Sequence, residues 1–429
     1  MGGKAFAAAH APEGYVLNIQ PLDQVHYDQL KNLYLSKIRT HLGEAVLVEV
    51  LKEAPEKTSY GDIDYLLATD EKVNFIDLAN AVGATAVVKS GPSVCSFAAR
   101  QDGSANGPEL AVYTKPDSRR PEPKQLTTSG GGSDATSTSP PCAQIDLEVV
   151  PLVAFAWRSF LASYGGVGMI LGRIIRDVGC SVHGDGLWLQ LPELDEAKKM
   201  NLHNIADKSG MIWLSSDPAE VMGFMHMPVD RYELGFDTLQ DLYTWLSSCR
   251  LLLGGAIVFA KADEAENVEV KYQGKPKLYK NFFREGIHTV PRGGEMYEGM
   301  SMTDVRQLLL LEALEKFGKA AEHEKKAGVL RRKIAHGKAE DWLKQAIMTA
   351  TGKEGKNATE IVRAFRRWVG VTESNHELYV LPAALSDETS ELYKLVDSDQ
   401  NVVLYRAANE AFVAKHWEDI RGLLRQSTK

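Results

Sequence analysis

The chain has 429 residues, of which 44% are apolar and 25% charged, with a formal net charge of −8. That length accommodates two or three domains with an ample core, and the acidic balance excludes a basic coat for nucleic acid over the whole surface while leaving local patches open. The longest apolar windows, such as Leu251 to Ala260, fall well short of the roughly 20 residues that cross a bilayer, so no membrane partner is expected.

The N-terminus "MGGKAFAAAH" lacks a basic region followed by an apolar stretch, and Phe6 stands where N-myristoylation would need Ser or Thr. The expected location is intracellular, cytoplasmic or nuclear. In chain order, Pro21 to His41 spaces Val25, Leu30, Leu33 and Ile38 as one helical face, and "EAVLVEVL" (Glu44 to Leu51) is a β-rich run. A helix near Val73 to Val82 and strands near Thr85 to Lys89 and Ser93 to Ala98 follow. From 101 to 141 the chain turns to Gly, Ser, Thr, Pro and charge, including "QLTTSGGGSDATSTSPP", which predicts a flexible insertion that tethers without packing. Cys142 to Leu194 then reads as strand, helix, helix and a hairpin about His183 to Gly186. Beyond Leu234 helical patterns dominate, nearly unbroken from Met302. Cys95, Cys142, Cys180 and Cys249 are widely separated, so they predict small core residues rather than disulfides or a zinc cluster.

Charge is segregated along the chain. Lys316 to Arg367 holds 14 Lys and Arg against 6 Asp and Glu, a net of +8, leaving −16 for the rest. Trp342 and Phe365 are interleaved and Trp368 follows directly. Such a stretch is either a solvated helix face or a grip on an RNA or DNA backbone.

The stretch "KTSYGDIDYLLATD", Lys57 to Asp70, begins an apolar run with two aspartates. Successive strand side chains alternate, so Asp62 and Asp64 share one face while Ile63, Tyr65 and Leu67 take the other. Two carboxylates this close repel, and a divalent cation with oxygen ligands is the natural compensation. "AQIDLEVV" repeats the logic, with Gln144, Asp146 and Glu148 on one face. If the two strands are neighbours, Asp146 or Glu148 completes a three-carboxylate cluster able to hold two metal ions for in-line phosphoryl chemistry. A turn cap or solvated edge is the alternative for an isolated pair.

"SYGDIDYLL" resembles the catalytic strand of the DNA polymerase β-like nucleotidyltransferase superfamily, where a turn with Ser or Gly runs into Asp-x-Asp and an apolar strand, and "QIDLEVV" resembles its later strand with the third carboxylate. The resemblance implies that Asp62 and Asp64 bind both metals, and that Asp146 binds the catalytic metal and helps deprotonate the acceptor hydroxyl. "GGKAF", "SYGDID", "LGRIIRDVG" and "HGDGLWL" occur in an order that looks like predicted nucleotidyltransferases of fungi, phages and large DNA viruses.

One departure concerns the phosphates. The superfamily places a Gly-Ser or Gly-Gly pair about ten residues before Asp-x-Asp, where backbone amides cradle the triphosphate. Here that position reads "EVLKEAPEKT". Gly2, Gly3 and Lys4, together with Ser59, are the replacement candidates. In "YGGVGMILGRIIRDVG" no dinucleotide-binding spacing exists, so Gly165, Gly166, Gly168 and Gly172 are expected to permit close helix packing. Arg173 and Arg176 share a helix face as phosphate contacts or, equally, as surface salt bridges.

The resemblance implies an α+β architecture. A polymerase β-type nucleotidyltransferase palm, a mixed sheet with flanking helices, spans 1–150 with its insertion at 101–141. A helical or mixed region over 151–300 completes the cleft, and a mainly helical C-terminal domain over 301–429 carries the basic segment 316–367. The expected reaction moves a nucleoside monophosphate from an NTP to a hydroxyl with Mg²⁺ or Mn²⁺, releasing pyrophosphate. An RNA 3′ end is the first acceptor, with another nucleic acid in its place as a variant. A small molecule, a protein side chain or a second nucleotide is the alternative, and a catalytically inactive nucleic-acid-binding protein of the same fold is the third reading.

Overall fold

The computed structural model describes residues 5–7, 9, 11–12, 17–104, 110–114, 140–200, 202, 207–253, 275–289, 297, 299–352, 354–374, 377–385 and 396–427. The chain divides into two compact units, Met1–Leu187 with Ser215–Gln307, and Trp188–Leu214 with Leu308–Lys429. Most of the 151–300 segment therefore belongs with the sheet that precedes it, and Trp188–Leu214 belongs with the C-terminal helices. Among the described residues no helix is long and apolar enough to cross a membrane.

The first unit is built on a mixed sheet. In chain order its elements are β1 (Asn18–Ile19), α1 (Gln24–Leu42), β2 (Leu47–Val50), β3 (Asp62–Ala68), α2 (Phe75–Val82), β4 (Ala86–Lys89), β5 (Val94–Arg100), β6 (Ala111–Tyr113), β7 (Pro141–Val150) and α3 (Phe155–Ile174). Spatially the strands run β2-β3-β7-β5-β4-β6, and β1 pairs with the first residues of β7, ahead of β3. β3 and β7 are parallel, whereas β2 and β5 run antiparallel to their respective neighbours.

Local chemistry starts and stops the helices. The Asp23 side chain accepts from the His26 N–H to cap α1, and Asn74 accepts from the Ile76 N–H to cap α2. Gly83 closes α2 in the left-handed conformation at φ 76°, which a side chain would disfavour. Both helices cover one face of the sheet. Tyr27, Leu30, Tyr34 and Ile38 of α1 and Phe75, Leu78 and Val82 of α2 meet Ile63, Tyr65, Leu67, Phe97, Ile145 and Leu147 from the strands. Each fully buried Leu or Phe here contributes about 1.5–3 kcal/mol relative to exposure. Of the α1 residues expected inside, Val25 is 63% exposed and Leu33 37% exposed. Tyr27 and Tyr34 occupy the face instead, and Tyr27 Oη donates to Glu53 at 3.3 Å.

The opposite face alternates chemistry along β7. Cys142 joins an apolar patch with Phe6, Ala86, Val88, Ala98 and Tyr113, and Val150 joins another with Leu66 and Ala68. Between them, at even positions of the same strand, stand Gln144, Asp146 and Glu148. The strand β6, pairing parallel with β4, lies within the 101–141 segment expected not to pack. Ala111 and Tyr113 bury apolar surface there, and three residues are too short a run to read as a strand. Residues 105–109 and 115–139 of that segment lie outside the described residues.

The glycines of α3 differ from expectation. Tyr164, Gly165 and Gly166 have φ of 56°, 71° and 100°, so the helix is broken there rather than packed closely. Gly168 does permit a close approach: a Cβ would meet Leu161 at 2.9 Å, whereas one at Gly172 would meet nothing within 4 Å.

In the second unit, the helices Ala320–Thr351, Lys356–Trp368 and Asp399–Ser427 enclose a core that includes Leu343, Ile347, Phe365, Tyr405 and Ile420. A hairpin of Val369–Val371 and Leu378–Val380 is tied to it by the buried Asn409, whose Oδ1 accepts from the Leu378 N–H at 2.7 Å.

Candidate active site

The parallel pairing of β3 with β7 sets Asp62 opposite Gln144 and Asp64 opposite Asp146. All four point away from the α1/α2 core, as strand alternation requires. Carboxylate oxygens from Asp62, Asp64 and Asp146 lie within 4.8 Å of one another. Asp62 is 9% exposed. Burial first, then the charges of Asp62 and Asp146, pushes the Asp64 carboxyl up to about 8, with Lys57 opposing. Burial likewise raises Asp146 to about 6, against hydrogen bonds from Ser96 and Gln144 that favour its charged form.

This donor set fits a hard divalent cation. Oxygen ligands of Mg²⁺ at roughly 2.0–2.1 Å from the ion stand about 3–4 Å apart, a modest contraction from the observed spread. Desolvation and, after it, mutual repulsion raise two of the carboxyls, and a bound cation offsets both effects.

Glu148, the other acid on this face, is paired with Arg158. That pairing leaves the aspartates as the acidic cluster and holds β7 to the first turn of α3. Ser96 lies opposite Asp146 on β5, buried, and sequence reasoning does not single it out. Its signal is the polar residue at the alternating position in "SVCSFAAR". Glu53 and Lys57, in the loop before β3, escape the sequence patterns as well. They form an ion pair at 2.6 Å, and both act on Asp64.

The phosphate candidates are placed less uniformly. Gly2, Gly3 and Lys4 lie outside the described residues. Ser59 is exposed, three positions before Asp62. Arg173 is paired with Asp177 at 3.2 Å, Arg176 is exposed, and both guanidiniums act on the Tyr279 phenol. Where the superfamily would place its glycine pair, the Leu51 N–H donates to the Asp64 carbonyl at 3.0 Å, and Lys52 Nζ donates to the carbonyls of Tyr232 and Glu233.

In the second unit much of the basic stretch meets acid. Arg331 pairs with Glu193 at 2.9 Å and Glu324 at 3.4 Å, Arg366 with Glu340, and Lys338 with Glu196 at 2.8 Å and Asp399 at 2.6 Å. Lys344, Arg363 and Arg366 line a shallow groove with Thr359 and Glu340.

The chain matches no protein-family model and no curated protein. Among solved structures it is similar to polymerase β of Leishmania infantum in a ternary gap complex, with 11% identity and a TM-score of 0.33 over 49% of this chain and 68% of that one. The same enzyme in a ternary P/T complex gives 11% identity and a TM-score of 0.31 over 49% and 74%. At these scores the likeness decides nothing about chemistry.

Proposed function

We propose that the first unit is a metal-dependent nucleotidyltransferase that moves a nucleoside monophosphate from an NTP to a hydroxyl acceptor and releases pyrophosphate. The observation that carries this reading is the register of Asp64 with Asp146, which with Asp62 brings three desolvated carboxylates from two adjacent strands within 4.8 Å. Asp62, Asp64 and Asp146 would hold Mg²⁺ or Mn²⁺, which when bound supplies positive charge against the triphosphate and the departing pyrophosphate. Asp146 accepts the proton of the attacking hydroxyl as its oxygen bonds to the α-phosphorus. The bond from that phosphorus to the bridging oxygen breaks, and its electron pair leaves with pyrophosphate. Ser59 and the segment Gly2, Gly3 and Lys4 are the proposed triphosphate contacts, with Arg173 and Arg176 as further candidates.

The proposed acceptor is a nucleic-acid end, RNA first, and the exposed Lys344 and Arg363 of the second unit are cations of the kind that contact a phosphate backbone. The pairing of Arg331, Arg366 and Lys338 to carboxylates favours a second reading, in which the acceptor is a small molecule, a protein side chain or another nucleotide. The test incubates the protein with Mg²⁺ or Mn²⁺, each labelled NTP, and a mixed pool of RNA and DNA. Label on nucleic acid supports the first acceptor and label on another product the second. No transfer to any acceptor overturns the enzyme reading.

A further inference from the structure

The face of the sheet that carries the aspartates also receives the N-terminal segment. Phe6 is buried in the apolar patch of Val88, Ala98 and Cys142, and its ring meets Tyr113 edge-on at 5.2 Å between centroids. One residue earlier, the Ala5 N–H donates to Gln144 Oε1 at 3.0 Å. Gln144 is 2% exposed, and its Nε2 donates to both Asp146 oxygens at 2.9 Å.

A side-chain amide has one accepting oxygen and one donating nitrogen, and the partners it meets decide which way round it sits. A backbone N–H accepts nothing, so Ala5 can satisfy only the oxygen. The nitrogen is thereby turned to Asp146. In the flipped state the oxygen would face a carboxylate and the nitrogen an N–H, two unpaired contacts in a buried place.

We propose that Gln144 is a positioning residue for the metal site: oriented by Ala5, it holds the Asp146 carboxylate toward Asp62 and Asp64. This rests on the metal-dependent reading above. It makes the Phe6 anchor part of the active site, because that anchor keeps the Ala5 N–H in place. Partners that orient a metal-binding side chain typically change affinity by about 10–100-fold when removed.

The experiment titrates full-length protein with Mn²⁺ alone and follows free Mn²⁺ by electron paramagnetic resonance. It compares the parent with Gln144→Met, Ala5→Pro and the double variant. Met keeps the volume and removes both hydrogen-bonding ends, while Pro at 5 removes the N–H and also fixes the local backbone. Gln144→Met is expected to weaken Mn²⁺ binding roughly tenfold. Ala5→Pro should weaken it less and add nothing further in the Gln144→Met background. A merely structural role would lower the melting temperature and leave Mn²⁺ affinity unmoved, which overturns the proposal. If Gln144→Met does not fold, Ala5→Pro decides alone, and parent-like affinity overturns the proposal. A parent that binds no Mn²⁺ overturns the metal reading together with this one, whereas parent binding with unaffected variants overturns this one only.

Discussion

Asp64 and Asp146 are register partners on adjacent parallel strands, both on the face turned away from the α1/α2 core, and burial raises the pKa of both. An arrangement that disfavours its own charged form costs stability unless something positive occupies it. Removing one of the charges should therefore separate stability from function. Asp64→Asn keeps the shape and deletes the charge. In metal-free buffer it should melt at or above the parent temperature, by the equivalent of about 0.5–2 kcal/mol. Nucleotidyl transfer should fall by about a hundredfold or more, as when a group acting on the reacting centre is removed. Asp146→Ala should lower transfer at least as far. Transfer retained by both variants would remove the aspartates from the mechanism.

The same shifts fix a sign for pH. A carboxyl whose folded-state pKa is raised binds more protons folded than unfolded between the two values, so its contribution is complete below the unfolded pKa and is lost as pH rises. For Asp64 the window runs from the ordinary value of 3.8 up to about 8, and for Asp146 from 3.8 up to about 6. Without divalent ions, the part of the melting temperature set by these groups should fall as pH rises from 4 to 8. Replacing both aspartates by Asn should flatten that fall, and saturating Mg²⁺ should oppose it in the parent. Differential scanning fluorimetry across pH, with and without Mg²⁺, measures the effect. A parent and double-Asn variant with the same pH slope would contradict it.

Parts of this site are legible in the sequence because strands alternate with a period of two. "DIDYLL" and "AQIDLEVV" each declare one apolar and one acidic face, and Ile63, Tyr65, Ile145 and Leu147 are buried together as that pattern requires. That β3 lies beside β7, in the register that opposes Asp64 to Asp146, is a tertiary fact across a long insertion and no local pattern contains it. Gln144 is visible on the acidic face, but its tie to Ala5 depends on where the N-terminal segment docks. The α1 face defeats an apolar pattern because Tyr27 and Tyr34 count as half-polar in it yet are buried once the fold surrounds them. The break at Gly165 and Gly166 is indistinguishable from packing in the sequence because glycine serves both purposes, and backbone angles alone tell them apart.

The long insertion offers a deletion with two predicted outcomes. Residues 115–139 are mostly Gly, Ser, Thr, Pro and charge, without apolar periodicity. Replacing them with a short Gly/Ser linker should change melting temperature and transfer little, since loop-closure entropy varies slowly with length. Extending the deletion through Ala111–Tyr113 removes a paired strand and the ring that meets Phe6. That larger deletion should cost about 1–3 kcal/mol, as for the removal of other buried side chains, and should weaken Mn²⁺ binding by releasing the Phe6 anchor. Equal behaviour of the two deletions would show that the third strand of that edge has no part in holding the N-terminal segment.

The acceptor can be tested through the second unit's cations at two places. Arg331 bridges Glu193 and Glu324, so its charge is already engaged within its own unit. Lys344 and Arg363 are exposed in a common groove. If RNA is gripped there, neutralising Lys344 and Arg363 to Gln should flatten the slope of log affinity against log salt by about 1.4, near 0.7 for each single-strand phosphate that is no longer neutralised. Arg331→Gln should leave that slope unchanged and lower stability by no more than about 1 kcal/mol, as exposed ion pairs do. Fluorescence anisotropy with labelled single-stranded RNA at several salt concentrations reads both effects. A small acceptor carries too few phosphates to produce such a slope. RNA affinity that is absent, or equally indifferent to all three substitutions, would return the groove to solvated surface and move the acceptor to a small molecule, a protein side chain or a second nucleotide.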